Sequence, residues 1–301
     1  MSLLHPIARL SLAEFSVHPS TTIGIAIFAA AYLWRAKQAP LAADRLPVTV
    51  QADTANAGQL GMAAAPQGPS PAQRLSYFSS LALLFLTLNG PLHDLSDFYL
   101  FSGHMVQHLI LTLVVPPLMI LGTPGWMLRP VLRHAPLFGA VRKLTSVTWC
   151  FVIFNVVLAF WHLPPLYNLA LANHGIHILQ HLMFIAASVL MWWPLMSPLP
   201  ELPRAAYPAQ MLYCFLMVMP MSIISIYIAM ADTLLYPAYA AAPRILGITP
   251  MQDQQYGGLI MWIPGGVFFY AVMTVVFFKW SNRGEDTEAS AQVGWVPGTS
   301  T

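Results

Sequence analysis

Residues 104–121 read HMVQHLILTLVVPPLMIL. The run contains no Asp, Glu, Lys or Arg. It is about as long as a bilayer-crossing helix needs to be, and it lacks the strict apolar–polar alternation of a half-buried strand. It opens on two histidines four residues apart. On a helix such residues share a face, about 6 Å apart along the axis. The same pattern returns as HILQH at 177–181, heading a second apolar run. Imidazoles are costly in an apolar layer, so a matched pair of them points to a task.

The composition agrees with that reading of the run. Of the 301 residues, 57% are hydrophobic and 8% charged, against about 25% charged in a soluble domain. The expected class is all-α: a polytopic membrane protein, a seven-transmembrane-helix bundle. The spans fall at 18–35, 75–92, 104–121, 146–163, 175–195, 208–231 and 257–278. Lysine and arginine set the orientation. Eleven (Arg35, Lys37, Arg45, Arg74, Arg129, Arg133, Arg142, Lys143, Arg204, Lys279 and Arg283) fall on one side, and Arg9 and Arg244 on the other. This places the N-terminus outside and the C-terminus inside. The chain divides into an N-terminal segment with the first helix (1–37), a flexible Ala/Pro/Gln/Gly-rich inner linker (38–74), a six-helix core (75–280) and a disordered tail (281–301). No cleavable signal peptide is expected ahead of the first span, which follows His18 and Pro19 without a basic stretch or a small-residue cleavage site.

On this topology seven of the ten histidines gather at the outer face. His104 and His108 open the third span and His177 and His181 the fifth. His174 lies just before that span, His162 closes the fourth, and His93 sits beside Asp94 and Asp97. His5 and His18 lie outside without a pattern around them, and His134 lies inside. The expected metal ligands are His104, His108, His177, His181, His162, His174, His93 and Asp97. The aspartates serve either as ligands or as helix caps, and capping suits Asp94. Gln107 and Gln180 either fix imidazole tautomers or bridge helices. Imidazole suits Zn, Cu, Fe and Ni, and thioethers favour Cu(I). Met105, Met230 and Met261 near the outer ends therefore lean the reading toward copper.

Cys150 and Cys214 are expected as buried core residues, with no disulfide framework. Pro220 and Pro264 are expected to break spans six and seven, and Pro116 and Pro117 interrupt the third. Trp161, Trp192, Trp193 and Trp262 read as interfacial belt residues. No Ser-His-Asp arrangement, nucleotide loop or paired catalytic carboxylate occurs, and no nucleic-acid patch. No acidic residue lies mid-span, which argues against a carboxylate proton relay. The basic loop at 129–143 reads first as a topology determinant, with contact to membrane lipid headgroups as the lesser alternative.

Three stretches carry a family resemblance: LSDFYLFSGHMVQHLILTLVVPPLMILGTP (95–124), WHLPPLYNLALANHGIHILQHLMFIAASVLMWWP (161–194) and DQQYGGLIMWIPGG (253–266). Over roughly 75–280 the chain resembles the CtaG family of multi-span assembly factors for caa-type cytochrome c oxidase. The resemblance implies a seven-span bundle in the bacterial plasma (inner) membrane, with oxidase subunits as partners and a role in maturing the oxidase at its copper centres. His104, His108, His162, His177 and His181 match the family's motifs. Three readings follow. The chain is a non-enzymatic copper-handling assembly factor with no small-molecule substrate; or a redox protein holding haem b or a di-iron centre through the same histidines; or a copper transporter.

Overall fold

The computed structural model describes residues 15–39, 68–133 and 135–294. His5, Arg9, Arg45, His134, most of the expected linker and residues 295–301 lie outside them. The described residues are helical with no strand. The principal helices are α1 (Pro19–Lys37), α2 (Pro71–Thr87), α3 (Pro91–Phe98), α4 (Phe101–Leu109), α5 (Val115–Gly122) and α6 (Ala135–Leu144). They continue with α7 (Val147–His162), α8 (Pro164–Ala172), α9 (His174–Met196), α10 (Tyr207–Ala229) and α11 (Pro250–Gly294).

Four helices are long and apolar enough to cross a membrane: Phe101–Gly122, His174–Met196, Tyr207–Ala229 and Pro250–Arg283. The number rises to six if the bent pairs α2–α3 (46°) and α6–α7 (70°) each make one crossing. Helix α1 coincides with the first expected span but is not among these candidates. The last helix runs on to Gly294, into the stretch expected as a tail.

The prolines act differently from expectation. Helix α10 passes through Pro220, and α11 through Pro264, without a break. The paired prolines do alter their helix. Between α4 and α5 the chain takes a π-helical turn at Ile110–Val114, and the Val115 N–H reaches back to the Ile110 carbonyl. In an α register the Thr112 carbonyl would accept from residue 116, and in a π register from residue 117. Both are proline and neither can donate. The stranded carbonyl is taken by the indole of Trp192 on α9, at 2.9 Å. Trp192 is thus a buried donor rather than a belt residue. Trp161 and Trp193 are likewise interior, and Trp262 is half-buried.

Close backbone approach closes the bundle. Helix α11 lies along α10 and against α4, α7 packs on α9 and α10, and α9 packs on α5. Gly257 and Gly258 make the α11 contacts possible. A Cβ at Gly257 would overlap the Phe101 ring, and one at Gly258 would lie 2.8 Å from the Ala229 backbone nitrogen. Helix α1 rests on α2, where Tyr32 and Tyr77 stack at 4.0 Å and the Tyr32 hydroxyl donates to the Gly122 carbonyl at 3.0 Å. Cys150 and Cys214 are buried and free.

Replacing Trp192 with Phe keeps an aromatic ring, though a smaller one, and strands the Thr112 carbonyl. The expected loss is about 1–3 kcal/mol of stability, read as a lowered unfolding midpoint of the purified protein. An unchanged midpoint would contradict the pairing.

Candidate metal centre

Both histidine helices have their first turn anchored by a side chain. On α9 the anchor is local: the Asn173 side chain accepts from the Ile176 N–H at 3.2 Å. On α4 the N-cap is Leu100, whose side chain offers no acceptor, so the anchor comes from 152 residues further along the chain. The buried Asp253 carboxylate at the head of α11 accepts from the Phe101 N–H (2.7 Å), the Ser102 N–H (3.1 Å) and the Ser102 hydroxyl (2.5 Å). A carboxylate at a helix N-terminus satisfies orphan donors and complements the macrodipole. This explains what the acidic residue of the DQQYGG stretch does, which composition and spacing do not reveal.

The two ladders meet. His104 and His177 stack with ring centres 5.4 Å apart, and those of His108 and His181 are 5.8 Å apart. His104, His108, His177 and His181 are all buried. Two triads result. His104, His108 and His181 form one, and Asp97, His104 and His177 the other. In each, one donor atom per residue lies within 4.8 Å of the others, the span of a first coordination shell. His104 belongs to both.

The hydrogen bonds assign the protons. Tyr239 Oη donates to the Ser96 carbonyl (2.7 Å), so in its 3.0 Å contact with Tyr167 Oη it is the acceptor. Burial pushes both phenols well above the usual tyrosine range, so they stay protonated and can donate. His104 Nδ1, 3.4 Å from Tyr239 Oη, is therefore the donor there, and its Nε2 carries a lone pair. His108 Nε2, 2.9 Å from that nitrogen, donates to it, which leaves the lone pair of His108 on Nδ1. His177 Nδ1 donates to Asp97 Oδ2 at 3.2 Å, leaving Nε2 buried and unpartnered. His181 Nε2 is also buried and unpartnered. A carboxylate behind an imidazole is the usual way to orient a metal-binding histidine.

His93 has a different place. The Gln107 amide donates to the Thr87 carbonyl (2.8 Å) and to His93 Nδ1 (3.1 Å). His93 therefore carries its proton on Nε2, 3.5 Å from Asp97 Oδ2. It holds the carboxylate rather than joining either triad. Gln107 thus does set a tautomer, whereas both polar ends of the buried Gln180 lack a partner. His162 stands next to His108, ring centres 5.9 Å apart, outside both triads. His174 is exposed and faces His18 at 5.8 Å.

His18 does acquire a pattern in three dimensions. Its ring lies 4.5 Å from that of His93, and its backbone N–H donates to the Asn89 side chain at 2.7 Å. Asp94 accepts from the Ser16 hydroxyl at 2.8 Å. The segment ahead of α1 thus covers the α2–α3 corner. Asp253, Tyr167, Tyr239 and His18 were not among the expected site residues. Asp253 lies in the DQQYGG stretch and Tyr167 in WHLPPLY, the one signal the sequence carries for them.

Removing the remote anchor should disturb the site without touching a ligand. Asp253→Ala is expected to cost about 1–2 kcal/mol, with Asp253→Asn recovering part of it because an amide oxygen still accepts. Denaturant unfolding of the two variants reads this. Equal stability of wild type and Asp253→Ala would contradict the cap.

A family model described as cytochrome c oxidase caa3 assembly factor matches residues 58–283. Comparisons with curated proteins and with solved structures give no match. The family match spans most of the sequence, and the chain belongs to that family.

Proposed function

We propose that this member of the cytochrome c oxidase caa3 assembly factor family binds copper at the His104/His108/His177/His181/Asp97 cluster and assists metallation of the oxidase. In this reading it is a seven-span protein of the bacterial plasma membrane, with its N-terminus outside. The copper is cargo, handed to an oxidase subunit beside it, and the chain is not an enzyme. The 11-to-2 split of basic residues supports the orientation. It puts the cluster at the outer ends of α4 and α9, beside α3.

The observation that carries the copper reading is the meeting of the two ladders. Three imidazoles, each with one donor atom within 4.8 Å of the others', make a ligand set rather than helix glue. A second triad with one carboxylate overlaps it, and shared ligands suit exchange over permanent retention. Imidazoles must be deprotonated to bind, so affinity falls as the pH drops. A haem fits poorly. The cavity beside His108 and His162 measures about 20 Å³, room for about one water and far less than a macrocycle. A di-iron centre would draw on bridging carboxylates, and Asp97 is the single carboxylate in the two triads.

Elemental analysis of detergent-purified protein tests this. Wild type should carry copper, and His108→Ala with His181→Ala should lose most of it while keeping its helical circular dichroism. Equal copper in both, or iron in place of copper, would overturn the proposal.

A further inference from the structure

Beneath the histidine cluster, between α4, α7, α9, α10 and α11, lies the small cavity just mentioned. Its lining includes His108, His162, Met105, Met221 and Met261. All five side chains are buried. Both imidazoles turn unsatisfied lone pairs to their surroundings. His162 Nδ1 donates to the Leu158 carbonyl at 2.7 Å, so its Nε2 is the unprotonated nitrogen, buried and without a partner. The proton assignment above leaves His108 in the same condition at Nδ1, also buried and unpartnered. Two stranded acceptors on residues that line one apolar cavity cost free energy unless an occupant of the cavity meets them.

The rest of the lining says what that occupant is. Besides the imidazoles, the cavity offers thioethers from three helices. Met105 comes from α4, Met221 from α10 and Met261 from α11. Met221 is given its place by a glycine: a Cβ at Gly265 would lie 2.9 Å from the Met221 sulfur. Met230, by contrast, is 74% exposed and does not contribute. Thioether with imidazole is a soft, uncharged donor set, suited to a monovalent soft ion and poor for Mg, Ca or Mn. The volume admits one such ion. The 5.9 Å between the two ring centres suits an ion held by metal–nitrogen bonds of about 2 Å on each side.

We propose that this cavity is a second metal site, selective for Cu(I), with His108, His162, Met221 and Met261 as its ligands. It deepens the copper reading and rests on it only for the identity of the cargo. His108 belongs both to this site and to the His104/His108/His181 triad. The chain therefore presents a graded series, from a triad with a carboxylate, through an all-imidazole triad, to an imidazole–thioether site. An ion can move along it by exchanging one ligand at a time.

Copper K-edge X-ray absorption on the full chain in detergent, loaded anaerobically with Cu(I), tests this. Wild type should show sulfur as well as nitrogen scatterers. Met221→Leu with Met261→Leu, a near volume-conserving change, should lose the sulfur shell and keep nitrogen-bound copper. His177→Ala with His181→Ala should do the reverse and keep the sulfur-bound ion. Nitrogen-only copper in wild type would overturn the second site and leave the outer cluster standing, with the cavity holding water. Sulfur scattering that persists in the double methionine variant would overturn the ligand assignment. Sulfur-bound copper with no nitrogen-only population lost in the histidine variant would support the cavity and overturn the outer cluster.

Discussion

Where α4 begins decides everything at the histidine cluster. A helix's first N–H groups need acceptors, and Leu100 at the N-cap has no side-chain acceptor to offer Phe101 and Ser102. Asp253 supplies them from the head of α11. The same short stretch brings Gly257 against Phe101 and Gly258 against α10, and Gln254 against the preceding loop through the Leu235 N–H at 2.7 Å. One turn and a half of α11 thus sets the axial position of His104 and His108, which in turn sets whether they meet His177 and His181. Shifting α4 by a single residue would rotate its ladder by about 100° and separate the two faces.

A second constraint operates lower down. The paired prolines strand the Thr112 carbonyl, and the π-turn alone does not recover it. Trp192 closes the gap from α9, while the Thr112 hydroxyl donates to the His108 carbonyl at 2.7 Å. The histidine helices are therefore tied together at the ladder and again one turn beyond it. Rigid support of this kind holds the converging imidazoles in their places.

Much of this was legible in the chain. Each apolar stretch coincides with a helix, because length and lack of charge report directly on what an apolar layer tolerates. The i, i+4 histidines had to share faces, and their equal depth on two helices made convergence the natural expectation. What stayed hidden depends on long-range partners. Spacing cannot show that Trp192 is a donor, since its role arises from prolines on another helix. It cannot separate His93, a holder of Asp97, from its ligand-like neighbours, because the difference lies in the Gln107 amide. His18 and Tyr239 reach the site from segments with no motif. The prolines at 220 and 264 misled for a related reason: neighbouring helices supply packing that keeps a proline-containing helix continuous.

The central claim is that the converging histidines carry copper for the oxidase. The most direct measurement is the copper content and activity of a caa-type oxidase matured in cells whose only copy of this chain is either wild type or His104→Ala with His108→Ala, at matched expression in the membrane. The account predicts an oxidase short of copper and of activity in the variant, restored by the wild-type chain. A fully metallated, active oxidase matured with the variant chain would contradict it.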